Sequence, residues 1–212
     1  MSVCFDSAHK RFWYIDHFVG AQIKDEWTSA GDAGGSSDVV DLQAGGIARL
    51  TTNNDDDDEW YIRWGNIHSL LMTKKVCAES KVKLSSAANI NDRPLLLFVD
   101  GANQIGFRHD TDAGQATWYI FCRDGGATTS LDSGFTVDTD WHIFRIQCHT
   151  HGGNHVHYFI DDFVNEVTNS PIDTNIPTSA TDYLEPFFQV QTRVAAAAKS
   201  MDIDYIGIRQ GR

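Results

Sequence analysis

Four histidines crowd one short stretch of this sequence: His149, His151, His155 and His157. If His151-Gly152-Gly153-Asn154 makes a turn, they flank it on adjacent strands. A His-x-His spacing sets both rings on one strand face, where zinc or copper could bind. Such a site also calls for a carboxylate to orient a ring, and Asp161 is the one on that face. Outward histidines that meet water or a neighbouring subunit are the simpler reading, and it is preferred. A second candidate is acidic. In Asn53-Asn54-Asp55-Asp56-Asp57-Asp58 the four carboxylates could supply hard oxygens to calcium, the one cofactor the sequence suggests. The segment lacks the spaced acidic pattern and glycine of an EF-hand loop, so a solvated hairpin tip is the plainer expectation. Next to it, Trp60, Tyr61 and Trp64 could stack on sugar rings. Trp60, Ile62 and Trp64 also alternate as core residues should, so at least one tryptophan is expected inside.

The chain that positions these groups has 212 residues, 17 Lys+Arg against 29 Asp+Glu, and a formal charge of −12. No basic stripe is present to displace counterions, which argues against a nucleic-acid partner. Apolar runs are short, as in Leu95-Leu96-Leu97-Phe98-Val99, far from the about 20 residues of a spanning helix. The first twenty residues mix Asp6, His9, Lys10, Arg11 and Asp16 among aromatics, so no secretory signal is visible. A soluble acidic protein is expected, folded as a single domain over residues 1–212. Asp outnumbers Glu by 24 to 5, which favours turns over helices. No two of Cys4, Cys77, Cys122 and Cys148 have CxxC spacing. They read as small buried hydrophobes in a reduced compartment, with disulfides left open.

Alternation and turn punctuation dominate the chain. Strands are expected at 11–20, 47–52, 60–64, 67–72, 75–84, 95–99, 104–109, 116–123, 134–138, 141–148, 155–162, 183–192 and 201–209. The Gly-rich segment 31–37 reads as a loop, and 194–199 as a turn or loop before the last strand. About a dozen short strands with regular turns predict an all-β, two-sheet antiparallel jelly-roll sandwich. In the hairpin around residue 152, Phe144, Ile146, Cys148, Val156, Tyr158 and Ile160 should face the core. Arg145, Gln147, His149, His155, His157 and Phe159 should face out. The same rule puts Met201, Ile203 and Tyr205 inside and Asp202 and Asp204 outside.

Three stretches carry a family resemblance: Trp141-His142-Ile143-Phe144-Arg145-Ile146, Val156-His157-Tyr158-Phe159-Ile160-Asp161-Asp162 and Met201-Asp202-Ile203-Asp204-Tyr205-Ile206. Together they resemble the concanavalin A-like lectin/glucanase sandwich, in its laminin-G-like or pentraxin-like variety, with Asp162 where a glycine is usual. The resemblance implies the fold, which hosts lectins, glycosidases, polysaccharide lyases and structural modules. Its glucanases carry paired glutamates as Glu-x-Asp-x-x-Glu on one strand. None of Glu26, Glu59, Glu79, Glu166 and Glu185 is followed by Asp two residues later, so that retaining chemistry is excluded. One sandwich lyase family carries Gln-x-His on a central strand. Here Gln189-Val190-Gln191 has an amide at the base position, and a base would have to come from elsewhere, for instance His157 or Tyr183. Gln189 and Gln191 also join Trp60, Tyr61 and Trp64 as candidate carbohydrate contacts.

A weaker resemblance, in the tryptophan-rich first half and Phe187 to Thr192, is to structural proteins of tailed bacteriophages. With no catalytic constellation in view, the expectation is a non-enzymatic virion structural or adhesive protein, a capsid decoration, head-fibre or tail component. Its partners would be other virion proteins or itself, with a glycan as a further ligand and no membrane. A lectin-like carbohydrate-binding module is the first alternative, and a polysaccharide lyase or glycoside hydrolase the second. Either alternative would place the protein outside the cell.

Overall fold

The structure, a computed structural model, describes residues 12–20, 22–40, 45–65, 70–195 and 197–211. Cys4 and residues 67–69 of the strand expected at 67–72 lie outside these residues; of its remainder, Leu70 makes an isolated bridge to Leu184 and Met72 begins a 3-10 turn. The described residues form two seven-stranded sheets in which every pairing is antiparallel. The first sheet holds β1 (Phe12–Asp16), β3 (Ser36–Val39), β4 (Ala48–Thr51), β6 (Cys77–Leu84), β11 (His142–His149), β12 (His155–Ile160) and β14 (Ser200–Gln210). Its order is β12-β11-β6-β14-β4-β3, with β1 sharing the outer edge of β14 with β4. The second sheet holds β2 (Thr28–Gly31), β5 (Glu59–Arg63), β7 (Ile90–Asp100), β8 (Asn103–Asp110), β9 (Thr117–Asp124), β10 (Ala127–Thr136) and β13 (Glu185–Thr192). Its order is β10-β9-β8-β7-β13-β5-β2. This is the two-sheet antiparallel jelly-roll sandwich the alternation predicts.

The inner faces meet in an aromatic core. Phe107 of one sheet packs edge-on against Phe144 and Tyr158 of the other, at centroid distances of 5.1 and 5.3 Å. Trp118 meets Phe144 at 4.9 Å. Each such buried side chain stabilises the fold by about 1.5–3 kcal/mol relative to exposure. Tyr158 also satisfies its hydroxyl, which donates to the Phe121 carbonyl at 2.7 Å and lies 3.2 Å from Cys122 Sγ.

In the β11–β12 hairpin all six residues expected inside are buried. Arg145 and Phe159 lie on the opposite face, yet are buried too. The Arg145 guanidinium binds Glu79 Oε2 through Nε at 2.9 Å and Nη2 at 2.5 Å, and lies 3.9 Å from the Phe163 ring. Tyr205 departs from the expected pattern. A register shift between Ile203 and Tyr205 turns its side chain to the outer face, where its hydroxyl donates to Glu79 Oε1 at 2.5 Å, and Ile206 takes the core position. The turn after β12 sets Asp161 at φ 57°, a conformation Asp tolerates better than most residues. Its carboxylate accepts from the Ile143 amide at 2.7 Å and meets His142 Nδ1 at 2.6 Å.

Two unexpected strands, β2 and β3, flank the Gly-rich segment and take in its ends, residue 31 and residues 36–37, while 32–35 form the turn between them. Their Gly- and Ser-rich composition hides them, and pairing with β5 and β4 creates them. Close backbone contact requires Gly31: a Cβ there would fall 2.2 Å from the Glu59 carbonyl oxygen. Cys122 and Cys148 are free and buried, as expected, but Cys77 is disulfide-bonded rather than a thiol.

Candidate functional site

Strand pairing assembles on the outer face of the second sheet what no single segment contains. Alternation turns Tyr61 and Arg63 of β5 outward, because Ile62 is fully buried in the core. Register then places Arg63 beside Phe187, Phe187 beside Leu96, Leu96 beside Gly106, Gly106 beside Phe121 and Phe121 beside Ser130. This row crosses six strands, about 24 Å at ~4.8 Å per strand. A second row runs alongside it: Tyr61 opposes Gln189, which opposes Arg93, and on the far side Arg108 opposes Tyr119, which opposes Asp132. A bulge in β7 between Arg93 and Leu96 brings both residues to the same face.

Leu96, Phe121 and Phe187 form an apolar cluster separate from the main core, with Tyr61 packed against it. Tyr61 and Phe187 stack at 5.2 Å with planes inclined by 22°. Guanidinium groups border the cluster: Arg63 lies 5.9 Å from the Tyr61 ring and Arg108 lies 5.6 Å from the Phe121 ring. Gly106 leaves room between Leu96 and Phe121, since a Cβ there would meet the Leu95 carbonyl oxygen and Leu96 Cδ1 at 2.7 Å each.

The polar groups of this face are linked. Gln189 Nε2 donates to Glu59 Oε2 at 2.5 Å, and Asn91 Nδ2 to Gln191 Oε1 at 2.6 Å. Arg93 donates to Asn91 Oδ1 at 2.5 Å and to the Asp92 carbonyl at 3.0 Å. Burial pushes the Arg93 guanidinium down to about 10 against the pull of Asp92, and Arg108 lowers it further. Burial lowers Arg108 as well, against the pull of Asp110 and Tyr119, and Arg123 lowers it further. Beneath the face, His109 and Asp92 form a buried pair, Nδ1 to Oδ2 3.2 Å, and burial raises the Asp92 carboxyl. Among the described residues, buried Arg63 Nε, Arg108 Nε and Ser130 Oγ find no hydrogen-bond partner.

The carbohydrate candidates separate cleanly. Tyr61, Gln189 and Gln191 stand on this face. Trp64 is fully buried and Trp60 packs against the core edge, so Trp64 cannot meet a sugar. The metal candidates are scattered: among the described residues no group of three or more His, Cys, Asp or Glu is arranged to hold an ion. On the outer face of the first sheet, His149 and His157 touch at 4.6 Å, and His157 Nδ1 bonds Glu166 at 2.9 Å. His155 packs against His157 at 6.4 Å, and exposed His151 occupies the turn. In the acidic segment, Asp58 accepts from the Asp55 amide at 3.2 Å and Asp57 pairs with Arg193 at 2.5 Å. Asp56 is exposed. The segment is a hairpin tip tied to the β13–β14 connection.

No family model matches the chain, and no curated protein matches it in sequence. Solved structures do match. A β-1,3-glucanase from Mycobacterium marinum superposes with a TM-score of 0.68 at 11% identity, over 92% of this chain and 97% of that one. A glycosyl hydrolase family 16 protein from Mycobacterium smegmatis gives 0.69 at 11% identity, over 92% and 98%. An immunostimulatory antigen and pseudo β-1,3-glucanase of Mycobacterium tuberculosis gives 0.69 at 13% identity, over 94% and 98%. The fold is the concanavalin A-like sandwich. At such identities the likeness carries the architecture alone. It nonetheless overturns the expectation of a virion structural component, because these three structures, which share the sandwich over almost its whole length, are named as glucanases or a glycosyl hydrolase. The likeness to phage proteins finds no counterpart among these three.

The two glutamates on the outer face of the second sheet, Glu59 and Glu185, do not form a retaining pair. Glu59 opposes Gln191, and Glu185 lies six residues further along β13 (185 against 191), about 20 Å away at ~3.4 Å per residue. A retaining pair needs about 5.5 Å. What sequence reasoning missed is Phe121, Phe187, Leu96 and Arg108. Each lies in an ordinary strand, and only long-range register joins them.

Proposed function

We propose that this chain binds a polysaccharide along the outer face of its second sheet. The observation that carries this reading is the half-buried row of Tyr61, Gln189, Gln191, Arg63 and Arg108 at the surface, supported from below by the buried cluster of Phe187, Leu96 and Phe121. Aromatic rings offer the apolar face of a pyranose a surface, while amides and guanidiniums fix its hydroxyls. The length of the row suits an extended chain better than a single sugar. The names of the fold relatives, glucanases and glycoside hydrolases, support a glycan ligand. Affinity electrophoresis in gels containing laminarin, alginate or xylan tests it: retardation by any of these, lost in Tyr61→Ala and Gln189→Ala, is expected. Free migration in all three gels contradicts it.

A second reading, cleavage by β-elimination, is favoured by one observation. Tyr61, Gln189 and Arg93 occupy one cross-strand row, which supplies a phenol, an amide and a cation to a uronate sugar. In that chemistry the phenolate form of Tyr61 takes the proton α to the carboxylate. The glycosidic oxygen leaves with a proton from water, and an unsaturated sugar end results. Growth of ultraviolet absorbance on mixing with alginate, absent in Tyr61→Phe, is the expected sign.

A further inference from the structure

The Gln191 side chain is held from both ends, and one of its holders leads away from the face to a single arginine. Its Oε1 accepts from Asn91 Nδ2 at 2.6 Å, and Asn91 Oδ1 accepts in turn from Arg93. Its Nε2 donates to the Asp57 carbonyl at 2.9 Å. An amide bound at both ends cannot turn over, so one N–H and one lone pair are left in fixed places for a hydroxylated ligand. The Asn91 end stands on the neighbouring strand β7. The Asp57 end stands on a hairpin tip, at φ 63°, a conformation that a residue other than glycine keeps only when its surroundings hold it.

Arg193 does the holding. Its Nη1 meets Asp57 Oδ1 at 2.5 Å, while Nε and Nη2 donate to Asp110 Oδ1 and Oδ2 at 3.1 and 2.7 Å. The paired contact with Asp110 sets the plane of the guanidinium, and the third contact then fixes Asp57. Arg193 is 18% exposed and Asp57 62%, so the ion pair ties a solvent-facing tip to a half-buried anchor. Thr192 adds its amide to the Asp58 carbonyl at 2.9 Å and its hydroxyl to the Asp55 carbonyl at 2.5 Å. The β4–β5 tip, the end of β8 and the β13–β14 connection therefore meet at Arg193.

We infer that Arg193 is a positioning residue of the polysaccharide site: by gripping Asp57 against Asp110 it fixes the carbonyl that orients the Gln191 amide. This inference rests on the reading of the face as a polysaccharide site. It goes beyond that reading by adding a residue that acts on the ligand only through Gln191.

The test is a double-mutant cycle on binding by the full chain, read as retardation in gels of graded laminarin, alginate or xylan content. Arg193→Gln and Asp57→Ala should each weaken binding by about fivefold, the worth of one hydrogen bond. Gln191→Ala should weaken it to a similar degree, and adding either change to Gln191→Ala should weaken it no further. Asp57→Ala keeps the backbone carbonyl and alters only an exposed side chain, so it decides the matter even where Arg193→Gln disturbs folding. A readout independent of any ligand is the Gln191 side-chain amide resonance pair in NMR spectra of the free protein, assigned by its absence in Gln191→Ala. It should move toward the position of a free glutamine in Arg193→Gln and in Asp57→Ala. Losses that add to that of Gln191→Ala, a loss in Arg193→Gln alone, or an unmoved resonance pair overturn this inference and leave polysaccharide binding standing. Free migration of the unaltered chain in all three gels overturns both readings.

Discussion

Tyr61 and Phe187 face each other across neighbouring strands on the outside of the sandwich, their rings stacked at 5.2 Å. Phe187 belongs to a cluster detached from the main core, and Tyr61 packs against it. Aromatic side chains bury more apolar area than most, so sequences usually commit them to the interior, as Trp64 and Trp118 are here. Phe187 is buried with Leu96 and Phe121 in a second, smaller cluster under the outer face, and half-buried Tyr61 is the ring of the stacked pair that reaches the surface. That ring, with the Gln189 and Gln191 amides near it, is the physical basis of the functional reading.

Gly106 should tolerate no side chain. It sits between Leu96 and Phe121, and a Cβ there meets the Leu95 carbonyl oxygen at 2.7 Å and Leu96 Cα at 3.0 Å. Gly106→Ala should therefore cost about 1–3 kcal/mol by overpacking, read as a lower urea midpoint with the same slope. An unchanged midpoint would show that β7 can give way.

Arg145 is expected to matter most among the charged residues. It is buried with Glu79, which also accepts from Tyr205. Arg145→Leu strands the Glu79 charge and should cost about 3–5 kcal/mol. Arg145→Leu with Glu79→Leu should recover much of that loss, a pattern that a double-mutant cycle by urea denaturation measures directly.

Stability should also depend on pH through His142. Its imidazole hydrogen-bonds the Asp161 carboxylate, an interaction that outweighs burial, and Asp138 adds to it at 2.8 Å, raising it from 6.5 to about 9. A raised folded value means the protonated ring stabilises the native state. This contribution is complete below about pH 6.5 and is lost as pH rises through about 9. Urea midpoints taken from about pH 6 to about pH 10 should fall, and His142→Gln should flatten the fall. A profile identical in the variant would assign the loss to other groups.

The Tyr158 hydroxyl donates to the Phe121 carbonyl and touches Cys122. Tyr158→Phe leaves that carbonyl's buried bond unmade and should lower stability by about 1–2 kcal/mol, checked by thermal or urea unfolding. The ring itself should stay in place, so binding should be unaffected.

Much of the fold is legible in the sequence because alternation is local. Phe144 to Cys148 and Val156 to Ile160 declare their inner faces within eight residues, and the turn between them needs only Gly152-Gly153. Local pattern fails where a bulge interrupts it, as at Tyr205, and where composition masks a strand, as in Ser36–Val39. The site is harder to read for a different reason. Alternation says which side of β5 Tyr61 takes, yet nothing local says that Phe187, Leu96 and Phe121 arrive beside it. Those contacts depend on register between strands distant in sequence. The same limit explains why Trp64 looks like a sugar platform when read beside Trp60 and Tyr61.

The most direct test of the account is polysaccharide binding by the unaltered chain, by Tyr61→Ala and by Gln189→Ala, with His157→Ala on the opposite sheet as control. The account predicts retardation in at least one polysaccharide gel. It predicts that the Tyr61 and Gln189 variants, both at half-buried positions, lose this, and that the His157 variant keeps it. Retention by both variants, or loss only in the His157 variant, would contradict it and move the site to another face.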